Sequence, residues 1–356
     1  MSFLTKGYEE LWKAIIRPPK ETYMPEDLGP TEFAIDDRNF KRSDFQLSNH
    51  RSLHLQCSHF EPIPEERVAE RLPCVIYLHG NSSSRLEALS IVPVLLPANI
   101  TVFCLDTSGS GISDGEYISL GWYERDDLAC VVDHLRRSEK VTCIGLWGRS
   151  MGAVTALLHG DRDPSIAGMV IDSPFSNLRV LSEELARMYA KNVPGFMLSA
   201  ALSMIRKTVK KKAKFDINEL DPLKHVDMCF IPALFCAGKD DTFINPRHTQ
   251  ILYEKYAGDK NLIMVDGDHN SMRPQFLLDS AAIFFYNTLQ CDQLPPFVPS
   301  NPRRKRRQQF SNPNQNAFAF AQQFQDNLLS DEELLTKAIE ESLKIEESKE
   351  KQNNEQ

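Results

Sequence analysis

A serine flanked by two glycines lies in the middle of the chain, at a spacing that suits nucleophilic chemistry. Residues 148–152 read Gly-Arg-Ser-Met-Gly, directly after the mostly apolar run 142–147 and before the small and aliphatic run 153–158. This pattern is typical of a sharp turn from a strand into a helix, where side chains two positions from the serine would collide and glycine is needed. The turn would place Ser150 at a helix N-terminus, where the helix dipole favours developing negative charge. We therefore predict that Ser150 is a nucleophile.

A nucleophilic serine needs a base, and the base needs a group that orients it. With a turn of this kind, the acid and then the histidine follow the serine along the chain. Asp241 follows the apolar run 232–237 within Gly-Lys-Asp-Asp-Thr-Phe-Ile, and His269 follows the run 261–265 within Gly-Asp-His-Asn. Because both loops follow consecutive predicted strands, we expect them to be neighbours at one edge of a sheet. The sequence predicts His269 as the base and Asp241 as the acid.

Two other carboxylates are alternatives for the acid. Asp240 directly precedes Asp241, although the spacing from Gly238 favours Asp241. Asp172 follows another predicted strand and is interpreted as a residue that stabilises its own loop. Of the nine histidines, only His269 has the required order and loop context.

Attack by a serine on a carbonyl carbon also requires two backbone N–H groups that face the developing oxyanion. One is predicted to be the amide of Met151, the residue after the nucleophile. The other is predicted in the His-Gly-Asn-Ser loop after the apolar run 74–78. We assign it to Asn81, with Ser82 as the alternative, and interpret His79 as a structural histidine of this turn.

Short apolar strands alternate with helical segments over most of the chain. The predicted strands are 74–78, 101–105, 142–147, 168–172, 232–237 and 261–265, and the predicted helices are 84–97, 122–138, 150–159, 247–257 and 273–289. Such alternation predicts an α/β fold with a mostly parallel sheet and helices on both faces. Before it, residues 45–48 and 53–57 alternate in polarity around a polar turn, which predicts a β-hairpin.

The composition divides the chain into four predicted regions. These are an N-terminal amphipathic helix and extended connector (1–44), a main domain (45–290) with a cap over the site (176–222), a disordered basic and Gln/Asn-rich linker (291–329), and a C-terminal helix (330–348). Two alternatives stay open at this point. The apolar face of residues 3–16 either docks on the main domain or makes peripheral contact with a membrane. The lysines of residues 207–214 form either a solvated helix face or a site for an anionic substrate.

The overall composition excludes several other classes of protein. The 356 residues carry a net charge of −8, which argues against nucleic acid as the main partner, because phosphate binding needs a surplus of Lys and Arg. The eight cysteines form no Cys-x-x-Cys pair or close Cys/His cluster, so we expect no metal site and a reducing compartment. Without a signal peptide or an apolar run of roughly 18 residues, the expected location is the cytoplasm.

The motifs HGN, GRSMG, GKDDTFI and GDHN occur in an order that resembles the α/β-hydrolase superfamily. The resemblance covers about residues 45–290 and is to the branch of serine aminopeptidase-like and monoacylglycerol-lipase-like hydrolases. It implies the α/β-hydrolase fold and hydrolysis of an ester, thioester or amide of a small-molecule or peptide substrate through an acyl-Ser150 intermediate. It also implies no metal or organic cofactor. The Gly-rich loop 106–115 resembles the superfamily loop that shapes the site and lacks the Lys-Ser/Thr of a phosphate cradle.

The C-terminal segment 330–347 has the pattern of an isolated amphipathic helix. Ser330 and Glu333 form a capping box, and one narrow stripe consists of Leu335, Ala338, Ile339 and Ser342. Residues 331–347 resemble a ubiquitin-interacting motif, which implies that this stripe binds ubiquitin. The departure from the motif is Ile345, where an acid is expected. The alternative is a helix that packs on the main domain or stays solvated.

The sequence as a whole favours a serine hydrolase directed to ubiquitinated partners by its C-terminal helix. The alternative from another class is a catalytically idle hydrolase scaffold that acts as a ubiquitin-binding adaptor. A deubiquitinase is disfavoured, because the predicted nucleophile is a serine and no Cys/His pairing is evident.

Overall fold

In the computed structural model, which describes residues 9, 12–189 and 195–299, nine strands form one mixed sheet. The strands are Glu32–Ile35 (β1), Arg38–Ser48 (β2), His54–Pro62 (β3), Leu72–Leu78 (β4), Thr101–Leu105 (β5), Val141–Arg149 (β6), Gly168–Asp172 (β7), Ala233–Gly238 (β8) and Lys260–Val265 (β9). Their order across the sheet is β1-β2-β3-β5-β4-β6-β7-β8-β9. The pairs β1–β2, β2–β3 and β3–β5 are antiparallel and the remaining pairs are parallel. The prediction of a mostly parallel sheet is confirmed.

Seven α-helices, besides the helical residues 12–16, accompany these strands in the described part of the chain. They are Val92–Leu95 (α1), Glu124–Arg137 (α2), Met151–Gly160 (α3), Leu178–Tyr189 (α4), Gly195–Lys212 (α5), Arg247–Lys255 (α6) and Gln275–Thr288 (α7). The continuous helix predicted over 84–97 is wrong. It is divided into a 3-10 helix at Arg85–Ser90, α1, and a 3-10 helix at Leu96–Ala98. The reason is Pro93 and Pro97, which lack the N–H that a continuous helix requires.

The central strand β4 shows how both faces of the sheet are covered. All of its residues are buried, and neighbouring side chains point to opposite faces. Cys74, Ile76 and Leu78 pack in a core cluster with residues of α2, α3 and α6. Val75 and Tyr77 pack in a second cluster with residues of α1 and α7. Helices therefore lie on both faces, as predicted.

The sheet begins earlier in the chain than the sequence pattern predicts. The sequence predicts an extended connector up to residue 44 and a main domain from residue 45, but β1 and the first part of β2 already belong to the sheet. Phe33 stacks on Phe40, with ring centroids 5.9 Å apart, and lies edge-on to Phe60. The alternation is interrupted by the charged turn at Asp36, which has a positive φ of 54°, and this interruption hides the strand pattern in the sequence.

The N-terminal amphipathic segment docks on the main domain where it is described. Residues 12–16 are helical, and Trp12 and Ile16 are buried, with exposed fractions of 4% and 0%. The amide of Ile118 donates to the carbonyl oxygen of Ile16 at 2.9 Å, and the Nζ atom of Lys212 lies 4.4 Å from the Trp12 ring centroid. The described part of the apolar face, at Trp12 and Ile16, is thus covered by the protein itself. None of the described helices is long and apolar enough to cross a membrane.

The segment predicted as a cap, 176–222, contains α4 and α5. Both helices direct apolar residues into one cluster that also contains the N-terminal residues, and its members from the cap helices are Leu178, Leu181, Leu185, Ile205 and Val209. The lysines at the C-terminal end of α5 are exposed, and Lys210 pairs with Asp216 at 3.1 Å. The lysine run is therefore a solvated face beside an internal acidic partner.

The chain remains packed beyond the expected end of the main domain at residue 290. Cys291 is buried in the core, and the guanidinium of Arg38 lies 4.6 Å from the ring centroid of Phe297. The rest of the predicted linker, from residue 300, and the predicted ubiquitin-binding helix at 330–348 lie outside the described residues.

Candidate active site

The turn from β6 into α3 holds Ser150 in an unusual backbone conformation. Its φ is 53° and its ψ is −115°, a region that residues with side chains seldom occupy. A Cβ atom on Gly148 would lie 2.2 Å from the carbonyl oxygen of Gly152, and one on Gly152 would lie 2.0 Å from that of Leu78. Both glycines are therefore required for the sharp turn. The amide of Ser150 donates to the carbonyl oxygen of Asp172 at 2.8 Å, which fixes the turn to the neighbouring strand β7.

Ser150, His269 and Asp241 form one hydrogen-bonded series. The Nε2 atom of His269 lies 3.0 Å from the Oγ of Ser150, and its Nδ1 lies 2.7 Å from an Oδ of Asp241. The other Oδ of Asp241 accepts from the amide of Ile244 at 2.7 Å. Exposed fractions of Ser150, His269 and Asp241 are 5%, 2% and 3%. The loops after β6, β8 and β9 thus bring together three side chains that are far apart in the sequence.

This geometry assigns the imidazole protons. Asp241 is a hydrogen-bond acceptor as a carboxylate, so Nδ1 of His269 carries the proton and Nε2 is left to accept from the Ser150 hydroxyl. The ring of Phe243 lies 5.1 Å from the His269 ring and covers it on one side. The arrangement can therefore move a proton from Ser150 to His269 while Asp241 holds the imidazole in place.

The two alternative acids have other partners. Asp240 is exposed, and its carboxylate accepts from the amide of Gly267 at 3.3 Å. Asp172 is buried and forms an ion pair with Arg273, with an Nε–Oδ2 distance of 2.8 Å. Burial alone would raise the pKa of Asp172, but the guanidinium of Arg273 holds that pKa below its usual value. Asp241 is the carboxylate that lies against the imidazole.

The loop predicted to supply the second oxyanion donor passes beside the nucleophile. A Cβ atom on Gly80 would lie 3.8 Å from the Cβ of Ser150. Within the described part of the chain, the amides of Asn81 and Met151 donate no hydrogen bond to protein, so both donors are available. The Oδ1 of Asn81 and the Oγ of Ser82 are also buried without a hydrogen-bond partner. The surroundings of Gly80 thus combine free donors and free acceptors next to Ser150.

His79 has a structural role in the same loop. Its Nδ1 lies 2.7 Å from the carbonyl oxygen of Gly80, and its Nε2 accepts from the amide of Thr107 at 3.2 Å. The Gly-rich loop 106–115 is wrapped closely around Asp106, because a Cβ on Gly111 would lie 2.3 Å from that carboxylate. These contacts fix the two loops against each other.

Sequence reasoning missed three charged residues beside the triad. Arg149, which precedes the nucleophile, donates to the carbonyl oxygen of His269 at 2.7 Å and pairs with Glu87 at 3.3 Å. Arg273 holds Asp172 and donates to the carbonyl oxygens of Asp268 and Ser271, each at 3.2 Å. Of the three, Arg149 could have been noticed in the sequence, because it is the charged residue of Gly-Arg-Ser-Met-Gly, whose other residues are small or apolar.

One apolar cluster adjoins the nucleophile and the base. Met151 and Phe243, the neighbours of Ser150 and His269, pack in it with Phe175 and residues of α4 and α5. Among the described residues, no group of three or more His, Cys, Asp or Glu side chains could hold a metal ion. The site therefore combines a polar triad with apolar surroundings.

Comparison with known proteins supports the same architecture. Residues 69–223 match the family model of serine aminopeptidase, S33. The chain is 32% identical to the uncharacterized protein YqkD of Bacillus subtilis over 203 residues, which are 56% of this chain and 65% of YqkD. It is 28% identical to human protein ABHD12B over 198 residues, which are 53% of this chain and 51% of ABHD12B. The chain thus spans less than two thirds of the length of either relative.

A solved structure extends this similarity over most of the described chain. The esterase Pf2001 of Pyrococcus furiosus superposes with a TM-score of 0.57 at 22% sequence identity, covering 76% of this chain and 99% of the esterase. At this level of identity the likeness concerns the fold. The sheet order, the nucleophile turn and the family-model match agree with it. The chain therefore has the α/β-hydrolase fold, and its central part is similar to the serine aminopeptidase family.

Proposed function

We propose that this protein is a serine hydrolase that cleaves an ester, thioester or amide through an acyl-Ser150 intermediate. The observation that carries the proposal is the buried series Ser150–His269–Asp241, with distances of 3.0 Å and 2.7 Å between successive side chains. A serine hydroxyl is a weak nucleophile until an adjacent base takes its proton, and the base is effective only when it is held in the correct tautomer. Both requirements are met by these contacts.

Acylation begins when the Oγ of Ser150 attacks the carbonyl carbon of the substrate. Its proton passes to Nε2 of His269, and Asp241 stabilises the imidazolium that forms. The negative charge on the carbonyl oxygen is stabilised by the amides of Met151 and Asn81. Collapse of the tetrahedral intermediate breaks the bond to the leaving group, which takes the proton from His269 and departs as an alcohol, thiol or amine.

Deacylation repeats the same steps with water. His269 accepts a proton from the water as its oxygen attacks the acyl carbon, and the bond between that carbon and the Oγ of Ser150 then breaks. The proton returns from His269 to Ser150, and the product is a carboxylic acid. The chain's own residues thus supply the base, acid and electrostatic stabilisation of both half-reactions.

The surroundings of the triad favour a small substrate with an apolar acyl group. Met151, which follows Ser150 in the chain, belongs to a continuous apolar cluster. Phe243, whose ring lies 5.1 Å from that of His269, belongs to the same cluster. Burying an apolar group there is favourable, whereas burying an unpaired charge is costly. The resemblance in fold to a protein described as an esterase makes an ester the first substrate class to assay.

A fluorophosphonate probe tests the proposed activity, because it bonds covalently to an activated serine. We expect the folded wild type to be labelled at Ser150, as located by mass spectrometry of the proteolytic peptides, and Ser150→Ala to be unlabelled. Ser280→Ala is a matched control, since Ser280 is partly exposed on α7 and its hydroxyl donates to the carbonyl oxygen of Phe276. It should be labelled like the wild type. A folded wild type that does not react contradicts the proposal and favours the idle scaffold.

We also propose that the enzyme is directed to ubiquitinated partners by residues 331–347, a prediction that rests on sequence alone. Titrating isotope-labelled ubiquitin with the full chain should shift resonances of its apolar patch at high micromolar concentration. Ala338→Lys should abolish these shifts, because a long charged side chain prevents close approach, whereas Lys337→Ala should preserve them. No shift with the wild-type chain contradicts this part of the proposal.

A further inference from the structure

The residue before the nucleophile links three parts of the site. Arg149 is the last residue of β6, and its side chain is only 12% exposed. Its Nη2 donates to the carbonyl oxygen of His269 at 2.7 Å and to that of Ser271 at 3.4 Å. Its Nη1 contacts an Oε of Glu87 at 3.3 Å. A single guanidinium therefore contacts both the loop of the base and a residue beyond the oxyanion loop.

Glu87 extends this connection to the predicted oxyanion loop. Its other carboxylate oxygen accepts from the amide of Gly80 at 2.8 Å. Gly80 directly precedes Asn81 and lies beside Ser150, since a Cβ atom added to Gly80 would lie 3.8 Å from the Ser150 Cβ. The Arg149–Glu87 pair thus spans the distance from the histidine loop to the oxyanion loop, and Arg149 adjoins the nucleophile in the chain.

The histidine loop is also held by Arg273. This residue donates to the carbonyl oxygens of Asp268 and Ser271, and its carboxylate partner, Asp172, has the backbone oxygen to which Ser150 donates. Both arginines therefore contact Ser271. A guanidinium suits such a position, because its planar fork can serve several oxygen acceptors at fixed angles.

We propose that Arg149 and Glu87 are a positioning pair, which sets His269 and the Asn81 amide at the correct separation from Ser150. This inference rests on the proposed hydrolase function. Neither side chain is assigned contact with the substrate. Their effect is on the alignment of groups that react, and misplacement by about 1 Å can lower a rate about 100-fold.

Kinetics with p-nitrophenyl butyrate test the positioning role. Arg149→Met and Glu87→Gln should each lower kcat about 10- to 100-fold, with KM changed by less than about 2-fold, because alignment and not binding is lost. The double variant should be no slower than the slower single variant, since both substitutions break one connection. Arg149→Lys should not restore kcat, because an ammonium cannot serve the same set of acceptors at the angles of the guanidinium.

The matched control is Arg162→Met, which removes an arginine from an exposed ion pair with Asp126 and should leave kcat unchanged. Thermal unfolding of each variant separates misalignment from loss of the fold, and Glu87→Gln decides the outcome if Arg149→Met does not fold. Folded variants with wild-type kcat, or with changes in KM alone, overturn the positioning role and leave the hydrolase proposal standing. A wild type that does not react with fluorophosphonate overturns both.

Discussion

Replacing Asp241 with Asn should lower kcat for an ester substrate about 10⁴-fold while the protein stays folded. The reason is the tautomer of His269. An amide in place of the carboxylate can donate to Nδ1, which moves the imidazole proton to Nε2, and Nε2 can then no longer accept the proton of Ser150. The substitution changes the contact between Nδ1 of His269 and the carboxylate of Asp241, which lie 2.7 Å apart. Steady-state kinetics with p-nitrophenyl butyrate measure the change in kcat.

The neighbouring residue provides a matched control for this substitution. Asp240→Asn makes the same chemical change one position earlier, at an exposed carboxylate that accepts from the amide of Gly267. We expect kcat within about 2-fold of the wild type, since a surface substitution away from the reacting groups has little effect. A large loss with Asp240→Asn and a small one with Asp241→Asn would assign the acid to Asp240 and contradict the proposed triad.

The second large effect is expected on stability. Asp172→Asn leaves the Arg273 guanidinium, whose side chain is 6% exposed, without its charged partner. Removing one partner of a buried ion pair typically destabilises a protein by about 3–5 kcal/mol. This is a large part of the total stability of an ordinary domain, so the midpoint of denaturant unfolding should fall markedly. Asp126→Asn, which removes the exposed partner of Arg162, should cost less than about 1 kcal/mol.

The ion pair of Asp172 and Arg273 also predicts how the free energy of unfolding depends on pH. The pKa of Asp172 is lowered in the folded state, so its charged form contributes stability above the unfolded-state value of 3.8. That contribution should decrease as the pH falls below this value towards the lowered pKa of the folded state. Denaturant unfolding of the wild type and Asp172→Asn between pH 3 and pH 6 measures the difference. A free-energy gap that stays constant down to the lowest pH would contradict the assignment.

Local sequence patterns were sufficient to place the three side chains of the proposed triad. Each follows an apolar strand, and the loops after β6, β8 and β9 meet because consecutive parallel strands end at the same edge of the sheet. Glycine is needed at 148 and 152 because a side chain at either position would collide with the backbone, and this holds wherever such a turn occurs. These features depend on short segments, so they can be recognised without knowledge of the rest of the fold.

Contacts between distant segments could not be predicted in this way. Asp172 and Arg273 are 101 positions apart, and no periodicity in the sequence connects them. Glu87 lies in a segment predicted as a regular helix, so its contact with the Gly80 amide was not foreseen. The start of the sheet was missed for a different reason, because the short strand β1 is followed at once by the charged turn at Asp36.

The burial of Trp12 and Ile16 has a consequence for how the chain is made on the ribosome. These residues emerge well before the groups that cover them, among them Ile118 and Lys212. During translation, which proceeds at about 5–20 residues per second, two large apolar side chains must therefore remain exposed or covered by a chaperone. The N-terminal segment can complete these contacts only after α5 has left the ribosome.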